Sequence, residues 1–191
     1  MPSLMVHLLT AYKFNKDSNT AFFIGNIAPD SISTWKEKDR SHLRDRSDRL
    51  EALIRLARAY EDQSDMDQGI LLHLFLDYKW DIGPMKGFIE GYQGPGWLQA
   101  YRYEIGLASA WLYHHTSWGQ RLWQQMEAYP KGLLSNNYSF IADDIQGLIS
   151  RNHTWHRDNN IGPSPYYPPA FVEEFTSKAV ADFKDFLSQY K

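Results

Sequence analysis

The chain has no cysteine among its 191 residues. Disulfides, thiolate metal sites and cysteine nucleophiles are thereby excluded. Any metal must be held by imidazole and carboxylate, a donor set that suits zinc, manganese or iron better than softer ions. Basic charge is not in excess either. Lys and Arg number 20 against 23 Asp and Glu, a formal net charge of −3. A protein that grips many nucleic-acid phosphates usually carries a basic stripe. Here the basic residues alternate with acidic ones, as in KEKDRSHLRDRSD from Lys36 to Asp48, which reads as a solvated loop or helix face. No stable nucleic-acid partner is expected. The longest apolar run, Gly69–Leu76, is too short to span a bilayer. The opening MPSLMVHLLTA has no basic n-region and no small-residue cleavage site, so neither a signal peptide nor a transmembrane segment is expected, and the location implied is cytoplasmic. Strand-like alternation of useful length is missing, as is any internal repeat.

What is present is apolar and helical in pattern. Hydrophobic residues make up 43% of the chain and aromatics 15%, enough for a sizeable core in one domain over residues 1–191. Ser3 can cap a first helix running to about Phe14, and a short apolar segment, Thr20–Ala28, ends at Pro29. Leu50, Leu53, Ile54, Ala57 and Tyr60 form one amphipathic stripe. The stretch from Met66 to Trp80 is apolar nearly all round, as a central buried helix would be, and Gly83-Pro84 is expected to close it. Further helices are expected over Trp97 to about Tyr129, with a break near Thr116, over Ser139 to Asp158, and over Ala170 to Tyr190 after a Pro-rich loop. The expected architecture is all-α, a single multi-helix bundle of six to eight helices.

Five residues stand out as carriers of chemistry. His73 and Asp77 lie one helical turn apart in LLHLFLDYKW, on one face and close enough to share a metal. The apolar residues around them deny the pair an easy route to water, and a buried carboxylate is costly unless it meets a cation or a full set of hydrogen bonds. A buried His–Asp ion pair joining two helices would serve equally well. His7 has a similar apolar setting, where a core histidine bonded to a neighbour is the bland reading. Asp30, just after Pro29, fits a helix N-cap as well as a ligand. His42, in DRSHLRD, reads on its own as an exposed surface histidine. Two later histidines, His115 and His156, each end an inward stripe (Leu98, Tyr101, Ile105, Ala108, Leu112 and Ile141, Ile145, Leu148, Asn152). They are secondary candidates for metal or substrate contact, with core packing as the alternative. His114 and His153 look peripheral.

Taken in order, MPSLMVHLLTA, FFIGNIAPDS, DRSHLRD and GILLHLFLDYKW resemble the bacterial zinc-dependent phospholipase C family, whose helical superfamily includes the single-strand-specific zinc nucleases. The resemblance is close over roughly the first 80 residues. It implies that Asp30, His42, His73 and Asp77 hold one metal, that His7 holds a second, and that Asp77 bridges them. It further implies zinc, one to two ions, and hydrolysis of a small-molecule or lipid phosphoester, mono- or diester, by metal-bound hydroxide, with Asp30 orienting or deprotonating the water. The chain departs from the secreted members in having no Trp before Trp35 and no HxxxE pair, so no third metal site of that type is expected. The alternatives are a non-catalytic helical protein with a structural or sensing metal, and a metal-free scaffold of buried ion pairs.

Overall fold

The structure, a computed structural model, describes residues 1–130 and 142–190. These residues are all-helical, with no strand among them. Helix α1 (Leu4–Phe14) is followed by α2 (Thr20–Gly25), a 3-10 turn at Ala28–Ser31, α3 (Trp35–Ser41) and α4 (Arg49–Ala57). Then come α5 (Asp65–Trp80), α6 (Lys86–Gly91), α7 (Trp97–His115), α8 (Gly119–Glu127), α9 (Ala142–Asp158) and α10 (Pro169–Tyr190). The break at Thr116 and the final helix fall where the periodicity places them. The expected start of α9 at Ser139 lies outside the described residues. Helix α3 falls where the charged segment reads as a loop or helix face, and α6 was not expected; each is under two turns long, too short for a hydrophobic stripe to register.

Helices α1 and α5 are enclosed on all sides. Met5 to Ala11 of α1 are buried without interruption, as are Gly69 to Asp77 of α5. Helix α5 starts at an N-cap in which the Ser64 hydroxyl accepts from Asp67 N–H and donates to the Asp67 carboxylate. It does not end at Gly83-Pro84. The chain continues through a π-helical turn, Asp81–Met85, straight into α6. Proline has no N–H and its ring clashes with the carbonyl four residues back, so the turn widens there instead of terminating. None of the helices described is long and apolar enough to cross a membrane.

Helix α2 crosses α5 closely enough that two glycines are needed. A Cβ on Gly69 would lie 2.0 Å from the Phe22 carbonyl oxygen, and one on Gly25 would lie 2.0 Å from that of Met66. Both obstacles are backbone, which cannot swing aside. This contact fixes the end of α2, where Asn26 sits, against the turn of α5 that leads to His73. Gly69→Ala is therefore expected to cost about 3 kcal/mol or more. In thermal denaturation this should lower the melting temperature by at least roughly 6 °C. An unchanged melting curve would show that the two helices can separate freely.

Candidate metal centre

Four segments bring the five residues together. His7 comes from the middle of α1, Asp30 from the 3-10 turn, His42 from the C-cap of α3, and His73 and Asp77 from α5. His7, His42, His73 and Asp77 are completely inaccessible, and Asp30 alone reaches solvent, with a tenth of its side chain exposed. Two overlapping groups, His7–Asp30–His73 and His42–His73–Asp77, present one donor atom from each residue within 4.8 Å of one another.

His42 reaches the interior because of how α3 stops. Leu43 N–H bonds to Arg40 O and Arg44 N–H bonds to Asp39 O, the paired bonds of a Schellman motif. The motif needs one left-handed residue, and Leu43 takes it, at φ 58°. Glycine or asparagine normally fills that position, so the turn is strained and gives no warning in the sequence. Its effect is to send His42 inward and to fold Arg44 back toward α5. The expectation of an exposed His42 and a fully solvated Lys36–Asp48 segment is thus corrected.

The histidine tautomers follow from their partners. His73 Nδ1–H donates to the Asn26 carbonyl at 2.9 Å, and His42 Nδ1–H donates to the Lys38 carbonyl at 2.8 Å. A carbonyl can only accept, so Nδ1 carries a proton in both rings and Nε2 is the nitrogen that offers a lone pair in the neutral form. These two Nε2 atoms face one another at 3.2 Å. His42 Nε2 is also 3.5 Å from Asp30 Oδ1 and 3.6 Å from Asp77 Oδ2, while His73 Nε2 is 3.8 Å from that same Oδ2. His7 Nε2 lies 3.4 Å from the other oxygen, Asp77 Oδ1. Neither ring nitrogen of His7 has a hydrogen-bond partner, and the same holds for Asp30 Oδ1 and Asp77 Oδ1. Each buried orphan of this kind costs about 1–3 kcal/mol. Neighbouring ligand atoms around a tetrahedral zinc with bonds of 2.0–2.1 Å are about 3.3 Å apart. The spacings are those of donors around a small cation, and the cluster can hold a divalent metal ion.

The charges point the same way. Burial and the neighbouring His7 hold His73 well below the usual imidazole pKa, so it is neutral and available as a ligand. Burial alone would raise the Asp30 carboxyl, but the His42 contact and the Lys38 ammonium outweigh it and hold the group far below the carboxylate range. Asp77 is likewise held down, against its own burial, by His7 and His73. Both carboxylates are ionised, and they stand beside the neutral imidazole of His73.

Several residues around the cluster escape the sequence patterns. Asn26, completely buried, accepts from His73 through its carbonyl, and its amide spans His7 O at 2.7 Å and His73 N–H at 3.3 Å in the orientation that satisfies both atoms. An asparagine inside the apolar run FFIGNIAP is the one sign of it in the sequence. Lys38 Nζ stands 2.9 Å from Asp30 Oδ1, though not aligned as a hydrogen bond. Arg44 Nη2 donates to Asp77 Oδ2 at 3.3 Å and to Asp81 Oδ2 at 3.1 Å, and Arg49 Nη1 donates to Asp81 Oδ2 at 2.8 Å.

The secondary candidates do not join the cluster. His115 is exposed, stacked on Trp111 with its Nδ1–H on the Trp111 carbonyl. It is the last residue of α7, where the chain turns away at Thr116, so its place on the stripe does not carry it into the core. His156 is buried, as its stripe implies, but in a separate group: Nδ1–H donates to Asn152 O, and Nε2 meets Ser109 Oγ at 2.8 Å. Burial lowers its pKa to about 4. His153, which looked peripheral, is buried between Glu127 and the Tyr113 hydroxyl.

The chain matches no protein-family model, no curated protein and no solved structure.

Proposed function

We propose that the chain is a metal-dependent phosphoester hydrolase that holds one or two zinc ions in the His7–Asp30–His42–His73–Asp77 cluster, as its resemblance to the zinc-dependent phospholipase C family implies. The observation that carries the metal is the pair of Nε2 lone pairs on His42 and His73, 3.2 Å apart and flanked by two ionised carboxylates. With each Nδ1–H committed to a carbonyl, the two Nε2 atoms are the nitrogens free to face a ligand. A metal cation between them would satisfy both nitrogens and both carboxylates at once. Backbone acceptors behind metal-ligating histidines, such as Asn26 O and Lys38 O here, are the usual device for fixing ring orientation. Asp77 turns Oδ1 to His7 and Oδ2 to His42 and His73, as a carboxylate bridging two ions would.

When bound, zinc supplies Lewis acidity to a phosphoryl oxygen and brings the pKa of water toward neutrality. The chain supplies position and charge. Asp30 is the one ligand candidate with contact to solvent, and its strong acidity makes it a poor base. Its role is to accept a hydrogen bond from the attacking water and aim it at phosphorus. His42 and His73, locked by their Nδ1 partners, and His7, stacked on the His73 ring with centroids 4.0 Å apart, keep the donor set rigid.

The complete burial of four of the five residues favours a second reading, a structural or sensing metal closed off by protein. A panel of nitrophenyl phosphomonoesters and phosphodiesters, assayed with zinc-reconstituted protein, separates the two. Turnover that a chelator stops and zinc restores is the expected result. Tight metal with no turnover anywhere in the panel would establish the structural reading instead.

A further inference from the structure

The cluster is ringed by more positive charge than a site built only to hold a cation should tolerate. Lys38 sits on Asp30, and Arg44 contacts Asp77, so two of the candidate ligand carboxylates already face a side-chain cation. One turn further along, Asp81 takes Arg44 and Arg49 on Oδ2 and the Met1 ammonium on Oδ1 at 3.0 Å. Three carboxylates thus face three side-chain cations and an ammonium. Like charges repel a metal ion at these distances, and a closed structural site would bind more tightly without Lys38 and Arg44. One divalent ion leaves the loaded site with at least two positive charges unmatched. Two ions leave more.

The cations also have donors to spare. Arg49 uses Nη1 on Asp81, while its Nε and Nη2 are enclosed without any hydrogen-bond acceptor. Arg44 reaches its carboxylates through Nε and Nη2, which leaves Nη1 for a ligand. The Lys38 and Arg44 side chains keep 21% and 24% of their surface, so they stand at the solvent side of a cluster whose histidines have none. A metal drawing on Asp30 and Asp77 would weaken the hold of those carboxylates on Lys38 and Arg44. Guanidinium groups match the geometry of a phosphate through paired N–H bonds, and lysine adds a point charge.

We propose that Lys38, Arg44 and Arg49 form an anion cradle over the metal cluster that takes the doubly charged end of a phosphomonoester, in preference to the singly charged link of a phosphodiester. The assignment rests on the metal-dependent hydrolase reading and narrows its substrate class. Charge decides between the two esters: a dianion offsets two of the unmatched positive charges of the loaded site, and a monoanion only one.

Calorimetric titration tests this without turnover. Zinc-loaded protein, its zinc content measured on the same sample, is titrated with phenylphosphonate, a dianion that resists hydrolysis, and separately with its monoanionic methyl ester. Phenylphosphonate is expected to bind one to one and at least about tenfold tighter than the ester. Arg49→Lys and Lys38→Gln should each weaken it about five- to tenfold, with zinc content unchanged. Arg49→Lys keeps a positive charge beside Asp81 and removes the planar donor fork. Zinc retained with equal binding of the two probes, or with variants indistinguishable from wild type, overturns the cradle and leaves the metal reading standing. Zinc not retained at all overturns both.

Discussion

Stripping the bound metal is expected to lower the melting temperature of the protein by about 10 °C. An ion held at a thousandfold excess over its dissociation constant stabilises the folded state by about 4 kcal/mol. For a chain of this size each kcal/mol is worth roughly 2–4 °C, which gives roughly 8–16 °C. The structural cause is the set of orphaned atoms on His7, Asp30 and Asp77, which lose their partner when the ion leaves. Asp77→Asn should behave differently in the two states. Without metal it should cost about 1–3 kcal/mol, because the contacts with His7, His73 and Arg44 that hold Asp77 ionised outweigh its desolvation. Arg44 keeps Asp81 as a partner, so no cation is stranded by that change. In zinc, the same substitution should abolish most of the metal-induced rise. Thermal denaturation of both proteins with zinc and with chelator gives all four values. No chelator effect together with a large loss in metal-free Asp77→Asn would identify a scaffold of buried ion pairs.

Loss of hydrolysis is expected to divide the histidines by the elements that carry them. His42 and Asp30 lie at a helix cap and in a 3-10 turn, outside the central helix that carries His73 and Asp77. His42→Ala and Asp30→Asn should leave a helical protein by circular dichroism. Hydrolysis of a nitrophenyl phosphate should fall by at least about a hundredfold in each, the scale seen when a metal's coordination is spoiled. His73→Ala should lose activity and also about 2–4 kcal/mol of stability, because it opens a cavity in the central helix and leaves the Asn26 carbonyl without its donor. Full activity in the His42→Ala and Asp30→Asn variants would place the active site elsewhere.

The sequence made the two halves of this site unequally legible. His73, Asp77 and His7 stand out because polar residues interrupt apolar runs, and a helical turn fixes their relation. His42 and its neighbours do not, since their placement depends on Leu43 adopting a left-handed conformation that its side chain disfavours. Lys38, Arg44 and Arg49 are ordinary members of a charged segment until tertiary packing sets them against Asp30, Asp77 and Asp81. The π-helical turn at Asp81–Met85 was hidden for the opposite reason. Gly-Pro is a strong stop signal, and here burial of α5 and packing of α6 override it. His115 shows the limit of a stripe at a helix end, where one more residue on the periodic face no longer means one more residue in the core.

Metal content tests the central claim most directly. Protein purified without added metal, analysed for elements and then titrated with zinc, should hold one to two equivalents per chain. The combined His42→Ala, His73→Ala variant should lose them, since it removes the facing nitrogens 3.2 Å apart. No bound transition metal in the wild-type protein, even after zinc is added back, would contradict the account.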